Sequence, residues 1–282
     1  MNGVTDKARI TLVCCGLIGT LVTDEGLIER SFAEAIATQG VVSGTSAFAR
    51  RMAQVHQARG LAPRDVLTTL FPDNEARAQA ALLAFDRALS DAIRRAVLRP
   101  VPGTHKALDE LGAEGRRICV ITGLPRRALD MLLDGAGLRR RIDVALSAED
   151  VSRGLPAPDL VLTAVIRSGT GAVQDVAVVH GTAAGIEAGR RSGASVVVGL
   201  LTGPHPEVRL RSAGASHILK SVAELPDLVL AADGSGIEHS AFGGDGGAGT
   251  ALSTPPSGPA GRNPEGVNIP AQVHLERRSL GL

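Results

Sequence analysis

Five short apolar runs recur along the chain, and each one ends in or is followed by Gly, Thr or Ser. These runs are RITLVCC (9–15), RRICVITG (116–123), IDVALS (142–147), DVAVVHG (175–181) and ASVVVGLLTG (194–203). Continuous Val, Ile and Leu are typical of strands buried on both faces of a parallel sheet. Amphipathic patterns between the runs predict helices at 104–114, 124–136, 158–168 and 183–192. This alternation predicts an α/β fold with a doubly wound, Rossmann-like parallel sheet.

Residues 26–99 break the alternation, because they contain amphipathic helical patterns and no strand-like run. We predict that three or four helices are inserted here as a cap, with the core formed by residues 1–25 and 100–230. In sheets of this kind, ligands lie off the carboxyl ends of the strands. Gly16, Thr122 and His180 fall at those ends, and the cap is expected to cover them.

The composition changes after Leu230, where Gly, Ser and Pro replace large apolar residues. A segment of this kind buries too little surface to offset its ordering entropy, so residues 231–282 are predicted to be a disordered tail. Residues 267–282 regain some apolar side chains. A short docking motif is an alternative for them.

Composition narrows the range of functions. The chain has 282 residues, 44% of them apolar, and a formal net charge of +1, which gives no reason to expect nucleic acid or an anionic membrane as partner. No apolar stretch approaches the roughly 20 residues of a membrane span, and the N-terminus has no signal-peptide pattern. A cytoplasmic protein is expected. Cys14, Cys15 and Cys119 are too few for a disulfide framework or a zinc site, and we expect them to be buried.

Four motifs occur in a fixed order after the cap interval: VITG, RGLPAPDLVLTAV, GTAAGIEAGRRSGASVVVGLLTG and SHILKSVAELPDLV. With the first strand and the cap, they make residues 10–229 resemble the haloacid dehalogenase superfamily, and most of all its phosphonatase-like branch. The resemblance implies chemistry in which a strand-end aspartate attacks phosphorus. Mg²⁺ held by carboxylates neutralises the phosphoryl oxygens, a threonine binds one of them, and a basic residue steadies the nucleophile.

Most of those groups are absent at the matching positions of this sequence. The nucleophilic aspartate falls on Gly16, and the second aspartate, which the branch itself replaces by a small apolar residue, falls on Ile18. The remaining positions carry no catalytic side chain either: the basic residue of GRPAP falls on Leu155, the aspartates of GDTxxD on Gly181 and Gly185, and the cap lysine on Pro63. Arg64 is an alternative match for that lysine, but arginine does not form the imine.

Thr122 remains from the catalytic set, with Gly123 after it at the predicted start of a helix. Amide groups at such a start bind anions, so both residues are candidates for ligand binding. Arg126, Arg153 and His180 are further candidates beside the pocket. The alternative for the two arginines is that they are simply exposed to solvent. The alternatives for His180 are a solvated position and a catalytic role. Asp24 and Asp159 are expected to act structurally at helix N-termini.

The sequence therefore predicts a catalytically degenerate phosphonatase-like hydrolase homologue without a cofactor. It would bind a small anionic metabolite, or a protein partner through its cap or tail. One alternative is an active, Mg²⁺-dependent hydrolase of phosphate esters or phosphonates. Another is a scaffold that tethers a partner through its tail. A homodimer formed through the cap stays open.

Overall fold

A six-stranded parallel sheet forms the centre of the protein in a computed structural model that describes residues 9–234. The strand order is β3-β2-β1-β4-β5-β6. The strands are β1 (Leu12–Cys15), β2 (Arg117–Thr122), β3 (Val144–Ser147), β4 (Val176–His180), β5 (Val196–Leu200) and β6 (His217–Leu219). The doubly wound α/β prediction is confirmed, and all five apolar runs contain a strand. β6 was not predicted from the sequence; it is a three-residue strand that is only partly buried.

Side chains of β1 alternate between two apolar layers, as the period of a strand requires. Val13 and Cys15 belong to one hydrophobic cluster, and Leu12 and Cys14 belong to the other. Cys119 lies beside Cys14 in the register of β1 and β2, and all three thiols are buried and free. The strands are apolar without alternation because helices cover both faces of the sheet.

Ten α-helices occur among the described residues. Four of them lie within the cap interval: α1 (Leu27–Thr38), α2 (Ser46–Gln57), α3 (Pro63–Leu70) and α4 (Glu75–Arg95). Six others belong to the core: α5 (Thr104–Ala113), α6 (Arg126–Gly135), α7 (Asp159–Ser168), α8 (Ala183–Ser192), α9 (Glu207–Ser212) and α10 (Leu225–Gly234). In the cap, the rings of Phe32 and Phe85 join α1 to α4 with centroids 4.4 Å apart.

Two neighbouring chain segments connect the cap to the core. The amide of Thr23 donates to the carbonyl of Arg99 at 2.9 Å, and the amide of Val101 donates to the carbonyl of Leu21, also at 2.9 Å. The cap therefore leaves the core and returns to it at one place, next to the carboxyl end of β1.

The predicted tail boundary at residue 231 falls inside α10, which continues to Gly234. Asp233 explains this continuation, because its carboxylate accepts from the amide of Ile10 at 2.9 Å and pairs with the buried Arg116. The rest of the predicted tail, residues 235–282 with the segment 267–282, lies outside the described residues. Within residues 9–234, no helix is both long and apolar enough to span a membrane.

Candidate ligand-binding site at the strand ends

A small cavity of about 50 Å³ lies between the cap and the core. On the core side it is bordered by the loop after β1 and by the carboxyl ends of β2 and β4. We call it the strand-end cavity. Its walls are formed by Leu17, Ile18, Thr122, Gly123, Leu124, His180 and Thr182 of the core, and by Ile28, Phe32, Ala58, Arg59, Gly60, Leu61 and Pro63 of the cap. The lining is mostly apolar, which is usual for small-molecule sites, with few polar groups among it.

His180 is a deeply buried polar group of the strand-end cavity, with 4% of its surface exposed. Its position is therefore buried, not solvated. The amide of Thr182 donates to Nδ1 of His180 at 3.2 Å, and the Thr182 hydroxyl lies 3.1 Å from the same atom. Because Nδ1 accepts a hydrogen bond, the proton of the neutral ring is on Nε2. Nε2 is buried and has no hydrogen-bond partner among the described residues.

The His180 ring occupies the space above two glycines. A Cβ built on Gly16 would lie 2.7 Å from Nε2 of His180, and one built on Gly185 would lie 2.6 Å from Nδ1, with two ring carbons closer still. In the GDTxxD pattern, His180 stands at the glycine and Gly185 at the last aspartate. The imidazole therefore fills the volume that side chains at positions 16 and 185 would need.

Gly181 is closed off by backbone instead of by a side chain. A Cβ there would lie 2.6 Å from Cα of Gly203 and 2.9 Å from the carbonyl oxygen of Gly19. The loop after β5 thus packs directly on position 181, and a longer side chain would have to displace it.

The residues of this site do not fit a magnesium ion. Mg²⁺ prefers oxygen ligands, with carboxylates foremost among those that proteins supply. Positions 16, 181 and 185 carry no side chain, and the ring above two of them presents an N–H donor. In the part of the chain that the structure describes, no three His, Cys, Asp or Glu side chains are grouped so that they could hold a metal ion.

Thr122 and Gly123 lie directly under the backbone of the cap. The Thr122 hydroxyl accepts from the amide of Leu124 at 3.2 Å, and α6 begins only at Arg126, later than the predicted 124. A Cβ on Gly123 would lie 2.5 Å from the carbonyl oxygen of Gly60 and 2.9 Å from that of Leu61. Glycine at 123 therefore permits the cap to close on the end of β2, and this contact leaves the strand-end cavity small.

Arg59 is a buried cation in the wall of the strand-end cavity. It was not among the site residues predicted from the sequence. Its guanidinium pairs with Asp24, in the segment that leads into the cap, and with Glu29 of α1 at 3.2 Å. A hydrogen bond from His56, together with the charge of Arg59, lowers the pKa of Glu29. One guanidinium therefore faces two carboxylates. Nothing in the local sequence distinguishes Arg59 from the other arginines of the cap.

The remaining candidates divide into two groups. Ile18 and Pro63 line the strand-end cavity. Leu155 is buried in the hydrophobic cluster that contains Leu12 and Cys14, and Arg126 and Arg153 form ion pairs and do not line the cavity. Arg126 pairs with Asp150, while Arg153 donates to the carboxylate of Asp159 at 2.8 Å and 3.1 Å. Asp159 stands in the first turn of α7, as predicted.

His205 is a second buried histidine at this edge of the sheet. Its Nδ1 accepts from the amide of Ala183 at 2.8 Å. Burial lowers the pKa of His180 and of His205 to about 4, helped in His205 by the charge of Arg209. Both rings are therefore neutral in the folded protein at neutral pH.

We expect acidification to destabilise the protein between about pH 6.5 and pH 4, because unfolded histidines bind protons at the higher of these values. The stabilisation is complete above the unfolded pKa and decreases as the pH falls through this range, by on the order of 2 kcal/mol for each histidine at about pH 5. Urea unfolding at neutral and acidic pH measures it. His205→Gln should reduce the pH dependence of the free energy of unfolding, whereas His217→Gln, at an exposed position, should not. If this free energy falls equally with pH in the wild-type protein and in both variants, the burial of His205 is not the cause of the destabilisation.

Comparisons with known proteins agree on the family. A model of haloacid dehalogenase-like hydrolases matches residues 18–198, which is more than half of the chain. A phosphonoacetaldehyde hydrolase from Bordetella pertussis is 33% identical over 108 residues, which cover 37% of this chain and 38% of that protein. The match thus spans about two fifths of the length of that relative.

Solved structures show the same fold. A phosphonoacetaldehyde hydrolase like protein from Oleispira antarctica superposes with a TM-score of 0.71 and 18% identity, covering 83% of this chain and 96% of that one. A hydrolase from Pseudomonas syringae gives a TM-score of 0.67 and 23% identity, covering 77% and 97%. Identities this low bear on the architecture alone.

Proposed function

The chain belongs to the haloacid dehalogenase-like hydrolase family, and we propose that it is a non-catalytic member that binds a small anionic ligand in the strand-end cavity. The observation that carries the proposal is the position of His180. Its imidazole stands over Gly16 and against Gly185, where the family resemblance places carboxylates. In this proposal the protein uses neither Mg²⁺ nor an aspartyl nucleophile.

The exchange of carboxylates for a histidine is physically consistent. Carboxylates gathered without a cation repel each other and resist burial. A neutral imidazole fills the same volume without that penalty, and the lowered pKa of His180 keeps it uncharged. Thr122 stays at the end of β2 with a hydroxyl that accepts from Leu124 and has a proton left to donate. A donor without a nucleophile supports binding, not phosphoryl transfer.

An active hydrolase is the second candidate function. It is favoured by the relatives, since the curated proteins that match part of this chain are phosphonoacetaldehyde hydrolases. That reaction would need other residues of this chain to replace the missing nucleophile. Binding of a protein partner through the cap or the tail stays a prediction.

Ligand binding is tested by thermal unfolding in the presence of small carboxylate and phosphate ions. We expect one class of ion to raise the melting temperature of the wild-type protein, by about 2–4 °C for each kcal/mol of binding linkage. Thr122→Ala should abolish the shift, because it removes a donor from the cavity wall. Thr68→Ala, at an exposed position of α3, is the matched control. A shift that survives in Thr122→Ala, or no shift with any ion, would contradict the proposed site.

A further inference from the structure

The strand-end cavity has room for only a very small ligand. A cavity needs about 10–15 Å³ of this kind of volume to hold one water molecule. At about 50 Å³, the strand-end cavity accepts roughly three to five heavy atoms by that measure. The backbone of Gly60 and Leu61 packs against Gly123 at one wall of this cavity.

Two neutral side-chain donors in its wall lack an acceptor among the described residues: Nε2–H of His180 and the hydroxyl proton of Thr122. His180 cannot gain charge cheaply, because a second proton on Nδ1 would face the amide proton of Thr182, which now donates to that atom. A buried donor without a partner is costly, and a ligand oxygen placed in the cavity would relieve that cost.

Among the described residues, Arg59 is the only charged side chain in the lining, and its charge is already balanced. Asp24 and Glu29 together outweigh the single guanidinium. A dianion at this place would lose its hydration and find no free cation in the cavity wall, and an uncompensated buried charge is expensive. A carbonyl or a single carboxylate loses less hydration on entry.

We infer that the strand-end cavity binds a planar carboxylate or carbonyl group with at most one negative charge, and that it discriminates against the phosphate dianion. The inference rests on the proposed function and specifies its ligand class. The oxygen atoms of the ligand accept from His180 Nε2–H and from the Thr122 hydroxyl, and its few carbon atoms contact the apolar wall at Ile18 and Phe32.

The test is a titration of ¹⁵N-histidine-labelled protein with acetate, its neutral analogue acetamide, and inorganic phosphate under mildly alkaline conditions. We expect acetate and acetamide to shift the His180 ring resonances, with phosphate at least about tenfold weaker than acetate. Thr122→Ala should abolish the binding of both planar probes. The His180 resonances are assigned from the spectrum of His180→Gln.

Asp24→Asn isolates the contribution of charge. The amide oxygen can still accept from the amide of Gly26, as Asp24 does at 3.1 Å, but one of the two charges facing Arg59 is gone. We expect phosphate binding to improve and the preference for acetate to shrink severalfold. Asp109→Asn, which breaks an exposed pair with Arg141, is the matched control and should leave the preference unchanged.

The outcomes separate the inference from the proposed function. Phosphate binding at least as tight as acetate in the wild-type protein would overturn the inference and leave ligand binding in place. A preference unchanged by Asp24→Asn would overturn the argument from charge. If no probe shifts the His180 resonances, the inference and the proposed binding site both fail.

Discussion

Replacing Gly185 by alanine is expected to destabilise the protein by about 2–3 kcal/mol, because the new methyl group would overlap the ring of His180. A Cβ at this position falls 2.6 Å from Nδ1, and the ring has little space to retreat because it is held between Gly16 and Gly185. Gly112→Ala is the matched control, since this glycine is also helical and a Cβ there meets none of the described residues within 4 Å. The control should gain about 0.5–1 kcal/mol from helix propensity.

A double-mutant cycle assigns the cost to the ring. His180→Ala removes the imidazole, so Gly185→Ala made in that background should cost much less, with a coupling energy of about 2 kcal/mol. Urea unfolding of the four proteins measures the cycle. If Gly185→Ala costs the same with and without the ring, the imidazole does not occupy the space above residue 185.

The sheet could be predicted from the sequence because its physical cause is local. A strand covered on both faces is apolar along nearly its whole length. Runs such as 176–180 show this pattern in the sequence. The interval 26–99 was predicted to be helical from the absence of that pattern. β6 was missed because a strand of three residues, one exposed and two half-buried, is too short to show the pattern. The end of α10 was missed because Asp233 acts through partners far away in sequence.

The site was only partly predictable. Thr122, Ile18 and Pro63 were placed in the pocket region by their motifs, and they line the cavity. The position of His180 could not be predicted from the sequence. Its ring packs against residues 16 and 185, and a contact among three separate positions does not follow from matching each position to a motif. Arg59 and its two carboxylate partners were also missed, since the three residues meet only when α1 and α2 pack together.

We expect the wild-type protein, supplied with Mg²⁺, to hydrolyse phosphonoacetaldehyde or p-nitrophenyl phosphate no faster than the Thr122→Ala variant does. Loss of a nucleophile from groups that act as a unit lowers kcat on the order of 10⁶-fold, and later losses add little. Gly16 offers no side chain to attack phosphorus, and the nearest polar atom above it is an N–H donor. Removing the Thr122 hydroxyl should therefore change the background rate very little, although it should abolish ligand binding.

The most direct measurement is the Mg²⁺-dependent turnover rate of the wild-type protein beside that of Thr122→Ala, with both prepared identically. We expect the two rates to coincide and to be indifferent to Mg²⁺. A wild-type rate that rises with Mg²⁺ and falls in Thr122→Ala would contradict a site that binds without catalysing, and would establish the active hydrolase in its place.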